Sequence, residues 1–402
     1  MRFLFLRFFA YTYFWEQRKL GDLADIRRGA SPRPIQDPKW FDNKKSNIGW
    51  LRISDVTEQN GRILFLEQKL SELGQEKTLV LNSPHLILSI AATVGKPVIN
   101  YVPTGIHDGF IVFLNLKADM EFLFQWLEIF RLQWQKLGQS GSQVNINSEL
   151  VRNQTIILPK TLEEQTAIGN FFKQLDDTIA SHQCELTKFQ ILKNTYLDVF
   201  FCTKNTHKNQ KNPNVWEQRK LGEVVEIIGG GTPDTNNPEY WNGNIDWYSP
   251  TEIGKQIYVN NSVKKISVLG LQKSSAKILP AHKTILFTSR AGIGDMAILA
   301  KEGATNQGFQ SLVLQNESVD IYFLYSLGYK IKEFALKNAS GSTFLEISKN
   351  TLAQTPILLP CLEEQTAIGN FFKQLDDTIA SHQRIIAKYR QIKAACLAKM
   401  FV

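Results

Sequence analysis

The chain has 402 residues, too many for a single hydrophobic core, and its length suits two to four domains. Hydrophobic residues make up 43% of it and aromatic residues 11%, which argues against a disordered chain and predicts a globular protein. The four cysteines lie far apart, so we expect neither a disulfide framework nor a zinc site. The net charge of +8 is, by itself, only a mild indication of a polyanionic partner.

The first 14 residues, MRFLFLRFFAYTYF, are mostly apolar, but Arg2 and Arg7 interrupt the run and no small-residue cleavage site follows. Two interpretations stay open: a first strand, or an upstream start codon. No later stretch approaches the roughly 18 apolar residues that span a bilayer. We therefore expect a cytoplasmic protein.

Residues 1–158 have the pattern of a mixed α/β domain. The runs GRILFL, LILSI, FIVFL and TIILP predict strands, because they are short, apolar and bounded by Gly, Pro and Asn. The segment from Met120 to Gly138 has apolar residues at helical spacing and ends at a glycine, which predicts a helix.

A 22-residue segment, LEEQTAIGNFFKQLDDTIASHQ, runs from Leu162 to Gln183 and returns without change from Leu362 to Gln383. Each copy carries a net charge of −3, and subtracting both from the total of +8 leaves +14 on the rest of the chain. The excess of basic charge therefore lies outside the repeat.

A shorter tag, WEQRKLG, precedes two divergent segments, at Trp15 and at Trp216. Weaker similarities follow: ILSIAATVGK (87–96) resembles ILFTSRAGIG (285–294), and GIHDGF resembles ATNQGF. Residues 216–358 are therefore predicted to form a second domain with the fold of the first. Residues 319–338 are the predicted counterpart of the helix that begins at Met120. Because drift after duplication does not explain why one part is identical and its neighbour is not, we favour a functional cause.

Apolar positions recur every three or four residues from Leu162 onward, without proline for about 39 residues, and the second copy repeats the pattern. Two heptad-patterned helices are predicted, over 159–202 and 359–402, with a polar basic linker over 203–215 between the first helix and the second domain. The seam is broken only at Lys193. Its residues are Ile168, Phe172, Leu175, Ile179, His182, Leu186 and Phe189 in the first helix, and Ile368, Phe372, Leu375, Ile379, His382, Ile386 and Tyr389 in the second.

The reach of the connecting segment predicts the direction of these helices. A helix from Leu162 to Phe200 is about 58 Å long at about 1.5 Å per residue. Parallel helices would require residues 201–215 to retrace that length, although even fully extended they span only about 50 Å. We therefore predict antiparallel coiled-coil helices that join the two domains with pseudo-twofold symmetry. His182 and His382 are interpreted as packed seam residues and not as metal ligands or pH switches.

No catalytic motif is convincing. NPEY, Asn237 to Tyr240, resembles the Asn-Pro-Pro-Tyr signature of amino-group methyltransferases, but Glu239 replaces the second proline and no Gly-rich cofactor loop stands upstream. GGGT, residues 229–232, is better interpreted as a turn than as a phosphate-binding loop. Walker, HExxH, GxSxG and nuclease motifs are not found. We expect a non-catalytic chain that binds no metal and no cofactor of its own.

Loops in both domains are instead rich in side chains that pair with base edges and phosphates. The candidate DNA-binding residues of the first domain are Arg28, Arg33, Lys44, Lys45, Asn47, Arg52, Lys96, His107, Ser140, Ser142 and Gln143. Those of the second domain are Thr232, Asn236, Asn237, Tyr240, Trp241, Tyr248, Lys255, Ser289, Arg290, Asn306, Gln307, Ser340, Ser342 and Thr343.

With the two tags and the repeat, the segments GGGTPDTNNPEYWNGNIDWYSP, SRAGIG, ATNQGF and SGSTFLEIS resemble the specificity subunits of Type I restriction-modification enzymes. The resemblance covers nearly the whole chain. It implies two target recognition domains, each reading one half of a bipartite asymmetric site in double-stranded DNA, with the coiled coil setting the gap. Ala91 stands where Arg290 does, and RRGASPR replaces GGGTPD, so contacts transfer more safely to the second domain.

The same resemblance implies partners and cofactors. Two methylation subunits would dock on the helices and use S-adenosylmethionine to methylate adenine at N6, and two restriction subunits, with ATP and Mg²⁺, would cut unmethylated DNA. Phe171 and Phe371, adjacent to the seam, are candidate apolar anchors for this docking. Two other hypotheses stay open: a recombination donor that is rarely assembled, which the identical repeats fit equally well, and a stand-alone methyltransferase or nuclease.

Overall fold

The computed structural model describes residues 15–137, 146–201, 216–341 and 345–401, and the chain divides into two compact units. Unit 1 comprises residues 1–183 and 384–402, and unit 2 comprises residues 184–383. Each unit contains one globular domain, the beginning of one long helix and the end of the other. Within the described ranges, no helix is long and apolar enough to cross a membrane.

Unit 1 is built on a five-stranded sheet with the strand order β2-β9-β6-β7-β4 and a smaller sheet of β3, β8 and β5. Its elements are β1 (Trp15–Lys19), α1 (Leu20–Leu23), β2 (Asp25–Arg28), β3 (Gly49–Trp50), α2 (Ile53–Glu58), β4 (Arg62–Ile63), α3 (Glu72–Gln75), β5 (Leu79–Leu81), β6 (Leu86–Ser89), β7 (Pro97–Asn100), β8 (Thr104–Ile106), β9 (Phe110–Leu114), α4 (Met120–Leu137), α5 (Ser148–Asn153), β10 (Thr155–Pro159) and the first part of α6 (Leu162–Phe201).

Both faces of the central strand β6 are buried, which explains its continuous apolar run. Leu86 and Leu88 pack in a core that includes Phe122 of α4, whereas Ile87 lies in a second core on the other face. The strand predictions are confirmed, although β4 keeps only two residues of GRILFL, and the helix predicted from Met120 is α4.

Unit 2 repeats this arrangement, with a five-stranded sheet of the order β12-β19-β16-β17-β14 and a smaller sheet of β15, β13 and β18. Its elements are β11 (Glu217–Lys220), α7 (Leu221–Val224), β12 (Val225–Gly229), β13 (Trp241–Tyr248), β14 (Tyr258–Val259), β15 (Lys264–Ile266), α8 (Val268–Gln272), β16 (Thr284–Phe287), β17 (Met296–Leu299), β18 (Ala304–Thr305), β19 (Gln310–Leu314), α9 (Ile321–Ser326), α10 (Gly328–Asn338), α11 (Lys349–Ala353), β20 (Pro356–Leu359) and the first part of α12 (Leu362–Met400). The prediction of two similar α/β domains is thus confirmed.

Two details of the sequence comparison are wrong. The single helix predicted over 319–338 is two helices, α9 and α10, separated by a turn at Leu327. Gly328, at the start of α10, lies close to Met296, where a Cβ would be 1.7 Å from Met296 Cε. The strand registers also align Leu86, and not Ile87, with Ile285. Leu86 pairs with Phe113 of β9, and Ile285 pairs with Leu312 at the equivalent position of β19.

The repeated segments form the same junction between helix and domain in both units. Trp15 of the first WEQRKLG tag donates its indole N–H to Glu164 Oε1 at 3.1 Å, and Trp216 of the second donates to Glu364 Oε1 at 3.1 Å. Each tag forms a strand, β1 or β11, that pairs antiparallel with the strand just before the long helix, β10 or β20. The tag and the repeat are therefore two sides of one contact.

A buried glutamine completes the junction. Gln165 donates from its amide to Pro159 O at 2.7 Å and accepts the backbone N–H of Asp119, which precedes α4, at 2.9 Å. Gln365 makes the matching bonds to Pro360 O and to the N–H of Asp320 in unit 2. Four residues later, Gly169 and Gly369 lie so close to Asp119 and Asp320 that a Cβ would be within 2.6 Å of a carboxylate oxygen. The identity of the repeats reflects, at least in part, this duplicated junction.

Within each unit the two long helices run antiparallel, as predicted. In unit 1, His182 of α6 stacks on Tyr389 of α12, and Asp176 accepts from Lys393 at 2.5 Å. In unit 2, Phe189 packs on His382 and Lys193 donates to Asp376 at 2.5 Å. Lys193 is therefore not an interruption of the seam, because it supplies an interhelical ion pair of the same kind in unit 2 as Lys393 supplies in unit 1.

The seam contains buried and partly exposed positions. Its buried residues are Ile168, Phe172, Leu175, Leu186, Ile368, Phe372, Leu375 and Ile386. Its partly exposed residues are Ile179, His182, Phe189, Ile379, His382 and Tyr389. His182 lies against Tyr389 and His382 against Phe189, as expected for packing residues.

Candidate DNA interface

Three loops of the first domain are tied together by backbone hydrogen bonds. Ala30, in the loop after β2, donates to Ile106 O at 3.0 Å, and Ile90, at the start of the β6–β7 loop, donates to Gly109 O at 2.9 Å. The turn between β8 and β9 closes on its own side chain, because the N–H of Gly109 donates to Nδ1 of His107 at 2.8 Å. We call the loops 29–33, 89–96 and 107–109 the first cradle.

The second domain builds the same arrangement from different residues. Gly231 donates to Thr305 O at 2.9 Å, and Ser289 donates to Gly308 O at 2.8 Å. The turn again closes on a side chain, since Gly308 donates to Oδ1 of Asn306 at 2.8 Å. We call the loops 230–234, 288–295 and 306–308 the second cradle.

These bonds define which residues are equivalent in the two cradles. The backbone is shared, but the side chains differ at almost every position that carries a polar group. The pairs are Ser31 and Thr232, Ala91 and Arg290, His107 and Asn306, and Asp108 and Gln307.

Asp108 is the centre of the first cradle. Its carboxylate accepts from the Ser31 hydroxyl at 2.8 Å and from the Arg33 guanidinium at 2.5 Å, while Arg28 donates to its backbone carbonyl at 2.6 Å. Burial opposes its ionisation, but the Ser31 hydrogen bond and the Arg33 charge outweigh burial and lower the pKa of Asp108. Burial lowers the pKa of His107, which keeps its ring neutral and able to accept from Gly109.

Two adjoining clefts extend from the first cradle. The smaller, of about 250 Å³, brings together the predicted residues Arg33, Arg52 and His107. The larger, of about 750 Å³, adds Lys44 and is lined also by Asn43 and Gln68, whose amides can donate to and accept from base edges. Four of the predicted residues of the first domain therefore lie around one continuous surface.

The second cradle has a different balance of charges. Its Thr232 hydroxyl hydrogen-bonds the exposed side chain of Gln307, where the first cradle has a carboxylate. Arg290 stands at the β16–β17 loop in place of Ala91. Among the residues that the structure describes, its guanidinium has no hydrogen bond and no ion pair. The second cradle thus offers a cation without an internal acceptor, and the first does not.

Three sequence predictions are corrected by burial or pairing. Tyr248 and Ser289 are fully buried, so neither side chain can contact DNA in this conformation. Tyr248 is in the core because it ends β13 at the position that Leu51 occupies in the first domain, and its hydroxyl has no partner in the described part of the chain. Lys96 is held by Glu128 at 2.6 Å and Asn60 at 3.0 Å, which explains its position without DNA.

The remaining candidates are distributed around the cradles. The exposed ones are Arg28, Lys45, Asn47, Asn236, Lys255 and Ser340. Asn237 caps a short 3-10 helix by accepting the N–H of Glu239, next to the half-buried Tyr240, and Trp241 packs edge-on against Trp247. The candidates Ser140, Ser142, Gln143, Ser342 and Thr343 lie outside the described residues, as do residues 1–14 and the linker.

Asp108 is the residue that sequence reasoning missed. Gln307 is a candidate by residue type, and the match of GIHDGF with ATNQGF places Asp108 at the same position. Residue type alone does not indicate Asp108, because a carboxylate repels phosphates. In the structure, Arg28, Arg33 and Ser31 surround Asp108, so this carboxylate organises the basic residues.

Other possible sites find little support. In the described ranges, no group of His, Cys, Asp and Glu side chains could hold a metal ion. Phe371 is half-buried and packs edge-on against Tyr196 at 4.8 Å, and Phe171 packs against the first core. Only part of each ring is available to another protein, and their docking role stays a prediction.

With these features in place, comparison with known proteins identifies the family. The family model described as "Type I restriction modification DNA specificity domain" matches residues 14–188 and again residues 213–390. These two matches cover most of the chain, one for each globular domain. The chain therefore belongs to the family of Type I restriction-modification DNA specificity proteins.

Curated relatives agree with this assignment. The MjaIX specificity subunit of Methanocaldococcus jannaschii is 35% identical over 177 residues, which are 43% of this chain and 41% of the relative. The EcoR124I/EcoR124II specificity subunit of Escherichia coli is 26% identical over 273 residues, 65% of this chain and 64% of the relative. Each of these matches spans less than two thirds of the relative. A putative MjaX specificity subunit of M. jannaschii is 24% identical over 91% of this chain and 87% of its own.

The fold is also that of a solved structure. The crystal structure of a Type I restriction-modification S subunit from M. genitalium superposes with a TM-score of 0.66 and 15% sequence identity, covering 96% of each chain. At this level of identity the similarity shows the fold alone. It agrees with two α/β domains and long helices in one polypeptide.

Proposed function

We propose that this chain is the DNA-sequence specificity subunit of a Type I restriction-modification complex, without catalytic chemistry of its own. Each globular domain reads one half of a bipartite, asymmetric site in double-stranded DNA. The observation that carries this proposal is the pair of cradles, in which one hydrogen-bonded backbone presents Ala91, His107 and Asp108 in one domain and different side chains in the other. A shared frame with different polar groups is what two unlike half-sites require.

The long helices set the gap between the half-sites and dock two methylation subunits, which methylate adenine at N6 with S-adenosylmethionine. Two restriction subunits, using ATP and Mg²⁺, join the complex to cleave unmethylated DNA, as in phage defence in the cytoplasm. The duplicated junction supports equivalent docking in both halves. Because Trp15–Glu164 and Trp216–Glu364 have the same geometry, a partner that recognises one junction meets the same surface at the other.

The test is methylome sequencing of a strain that expresses the chain with its methylation subunit. We expect one bipartite, asymmetric motif that is methylated genome-wide. Replacing residues 216–358 by the equivalent domain of another family member should change one half-site and leave the other unchanged. Absence of any bipartite motif, or a change in both halves after the replacement, contradicts the proposal.

The spacer role of the helices has a separate test. Inserting four or seven residues after Gln183 is expected to alter the gap between half-sites, or to abolish methylation, without altering the bases in either half. An unchanged gap in an active variant would refute this role.

A further inference from the structure

The β16–β17 loop of the second cradle is closed on itself before any ligand binds. The hydroxyl of Thr288 donates to Gly292 O at 2.6 Å and accepts the N–H of Asp295 at 2.9 Å, and Gly294 donates to Thr288 O at 2.9 Å. Positive φ angles at Ala291 (53°), Gly292 (110°) and Gly294 (88°) complete the tight turn. The backbone that carries Arg290 is therefore fixed by its own hydrogen bonds.

Neighbouring segments hold the loop from both sides. Ser289 donates its N–H to Gly308 O at 2.8 Å and accepts at its carbonyl from the N–H of Ile347 at 3.0 Å. Asp295, the acidic residue of the loop, is bound to Lys332 of α10 at 2.9 Å. The Asp295 carboxylate is therefore already paired with Lys332. The hydrogen-bonded loop holds the backbone of Arg290 in place next to the Asn306–Gly308 turn.

Arg290 differs from the other arginines around the cradles in having no internal acceptor. Arg33 is bound to Asp108, and Arg52 is bound to Asp55 through two nitrogens. The side chain of Arg290 is partly buried, and in the described part of the chain it forms no hydrogen bond or ion pair. A partly desolvated cation without an acceptor is unfavourable, so its position makes physical sense if the ligand supplies the acceptor.

The first domain indicates which kind of acceptor this is. There the loop has the same closed backbone, with Gly95 donating to Ser89 O at 2.8 Å and a positive φ of 58° at Ala92, but the equivalent residue is Ala91. A phosphate contact does not depend on sequence, so two domains that hold DNA in the same way would both need it. An arginine present in only one of two equivalent frames fits a base contact better.

We propose that Arg290 reads a guanine in the half-site of the second domain. Its planar guanidinium can donate two hydrogen bonds to O6 and N7, the two acceptors that guanine presents in the major groove. No other base presents two acceptors in that geometry. This inference rests on the proposed function and adds to it a base, a residue and a half-site. Ala91 provides no such contact in the first domain.

The experiment uses the full chain assembled with its methylation subunits and the motif that methylome sequencing assigns to the wild type. Each guanine of both half-sites is replaced in turn by 7-deazaguanine, which lacks only the N7 acceptor, and binding is measured. At one guanine of the second half-site we expect binding about tenfold weaker. In Arg290→Gln that penalty disappears, while the preference for the wild-type first half-site over a scrambled one stays as in the wild type and shows that the variant is folded.

Lys283→Gln is the matched control, because Lys283 is also an exposed cation of the second domain but lies just before β16, at the end of that strand away from the β16–β17 loop. It should keep the 7-deazaguanine penalty. The proposal is overturned if the second half-site contains no guanine on either strand, or if Arg290→Gln keeps every penalty of the wild type. Uniformly weaker binding of Arg290→Gln, with a salt dependence reduced by about one charge, would assign a phosphate contact and also overturn it. A wild type without any bipartite motif would instead refute the proposed function itself.

Discussion

The two cradles have nearly the same backbone hydrogen bonds, but their charged side chains are arranged differently. In the first, Asp108 binds Ser31 and Arg33, so the polar groups are organised around a carboxylate. In the second, Gln307 replaces that carboxylate and Arg290 has no acceptor in the described chain. The hydrogen bonds that tie the loops together are between backbone groups, whereas side chains that differ between the cradles, such as His107 and Asn306, close the turns. Specificity can therefore change while the fold does not.

The junctions between helix and domain show the reverse behaviour. Glu164, Gln165 and Gly169 recur in the second copy as Glu364, Gln365 and Gly369, with equivalent contacts to the tag tryptophan, to a backbone N–H and to an aspartate carboxylate. A buried amide with matched donors and acceptors, or a glycine that touches a neighbouring carboxylate, tolerates few substitutions. Where the residues around the junctions differ between the units, equivalent substitutions should change the stability of the two units by different amounts.

The largest difference is expected at the interhelical ion pairs. Asp376→Ala removes a carboxylate with 6% of its side chain exposed, which binds Lys193 and the Tyr322 hydroxyl. We expect unit 2 to lose about 3 kcal/mol, because the partly buried Lys193 and the buried Tyr322 hydroxyl are left without their acceptor. Asp176→Ala should cost about half as much, since Asp176 is 17% exposed and Arg62 keeps its pair with Glu121.

Urea unfolding followed by hydrogen exchange in each unit measures both changes. Asp377→Ala is the control, because Asp377 is exposed and its removal should stay within about 0.5 kcal/mol of the wild type. Equal losses for Asp176→Ala and Asp376→Ala would show that burial does not distinguish the two pairs.

At the buried glutamines, equal effects are expected. Gln165→Leu leaves a carbonyl and a backbone N–H without their partners; Gln365→Leu leaves the equivalent pair and also removes a longer bond to Ser318 O at 3.2 Å. Each should cost about 2 kcal/mol. The same unfolding experiment, with the exposed Gln174→Leu as control, compares the two junctions. A loss in one unit only would contradict the interpretation of the repeat as a duplicated junction.

Tyr248 allows a change in the opposite direction. Its buried hydroxyl has no partner in the described chain, and burial raises its pKa, whereas Leu51 fills the same place in the first domain. Tyr248→Phe should be neutral or stabilising by up to about 1 kcal/mol in thermal unfolding, with an unchanged methylation motif. Destabilisation by more than that would show that the hydroxyl has a partner within the fold, and an altered second half-site would return Tyr248 to the DNA interface.

The smallest effect is a difference in pH dependence. His107 and Asn306 hold equivalent turns, but only His107 titrates, and burial lowers its pKa. The folded first domain therefore favours the neutral ring, so this stability is present above the unfolded pKa of about 6.5 and declines as the pH falls below it. Hydrogen exchange between pH 7 and 5 should show weakening in unit 1, and His107→Asn should remove it. An identical decline in His107→Asn would exclude His107 as the cause.

The long periodic helices could be predicted from the sequence, but contacts between residues far apart in the chain could not. The proline-free heptad pattern from Leu162 predicted a helix that ends within one residue of the observed Phe201, because periodicity depends on neighbours in the chain. The bond from Trp15 to Glu164 joins residues 149 positions apart, and no local pattern reports such a contact.

The candidate interface shows the same limit. Residue type selected Arg33, Lys44, Arg52 and His107, which do meet around one surface. It also selected Tyr248 and Ser289, since a polar residue at the end of a strand looks the same in sequence whether it faces solvent or the core. Equivalence between the two domains is the better guide, as the pairing of Ala91 with Arg290 illustrates.

The most direct test of the account is a chain that carries its second domain twice, with residues 15–158 replaced by a second copy of residues 216–359. Both positions then have the same cradle on the same junction. Because the helices are antiparallel, methylome sequencing should report a bipartite motif whose two halves are inverted copies of the wild-type second half-site. A motif that stays asymmetric, or that keeps the wild-type first half-site, would contradict the claim that each domain reads its own half through its own cradle.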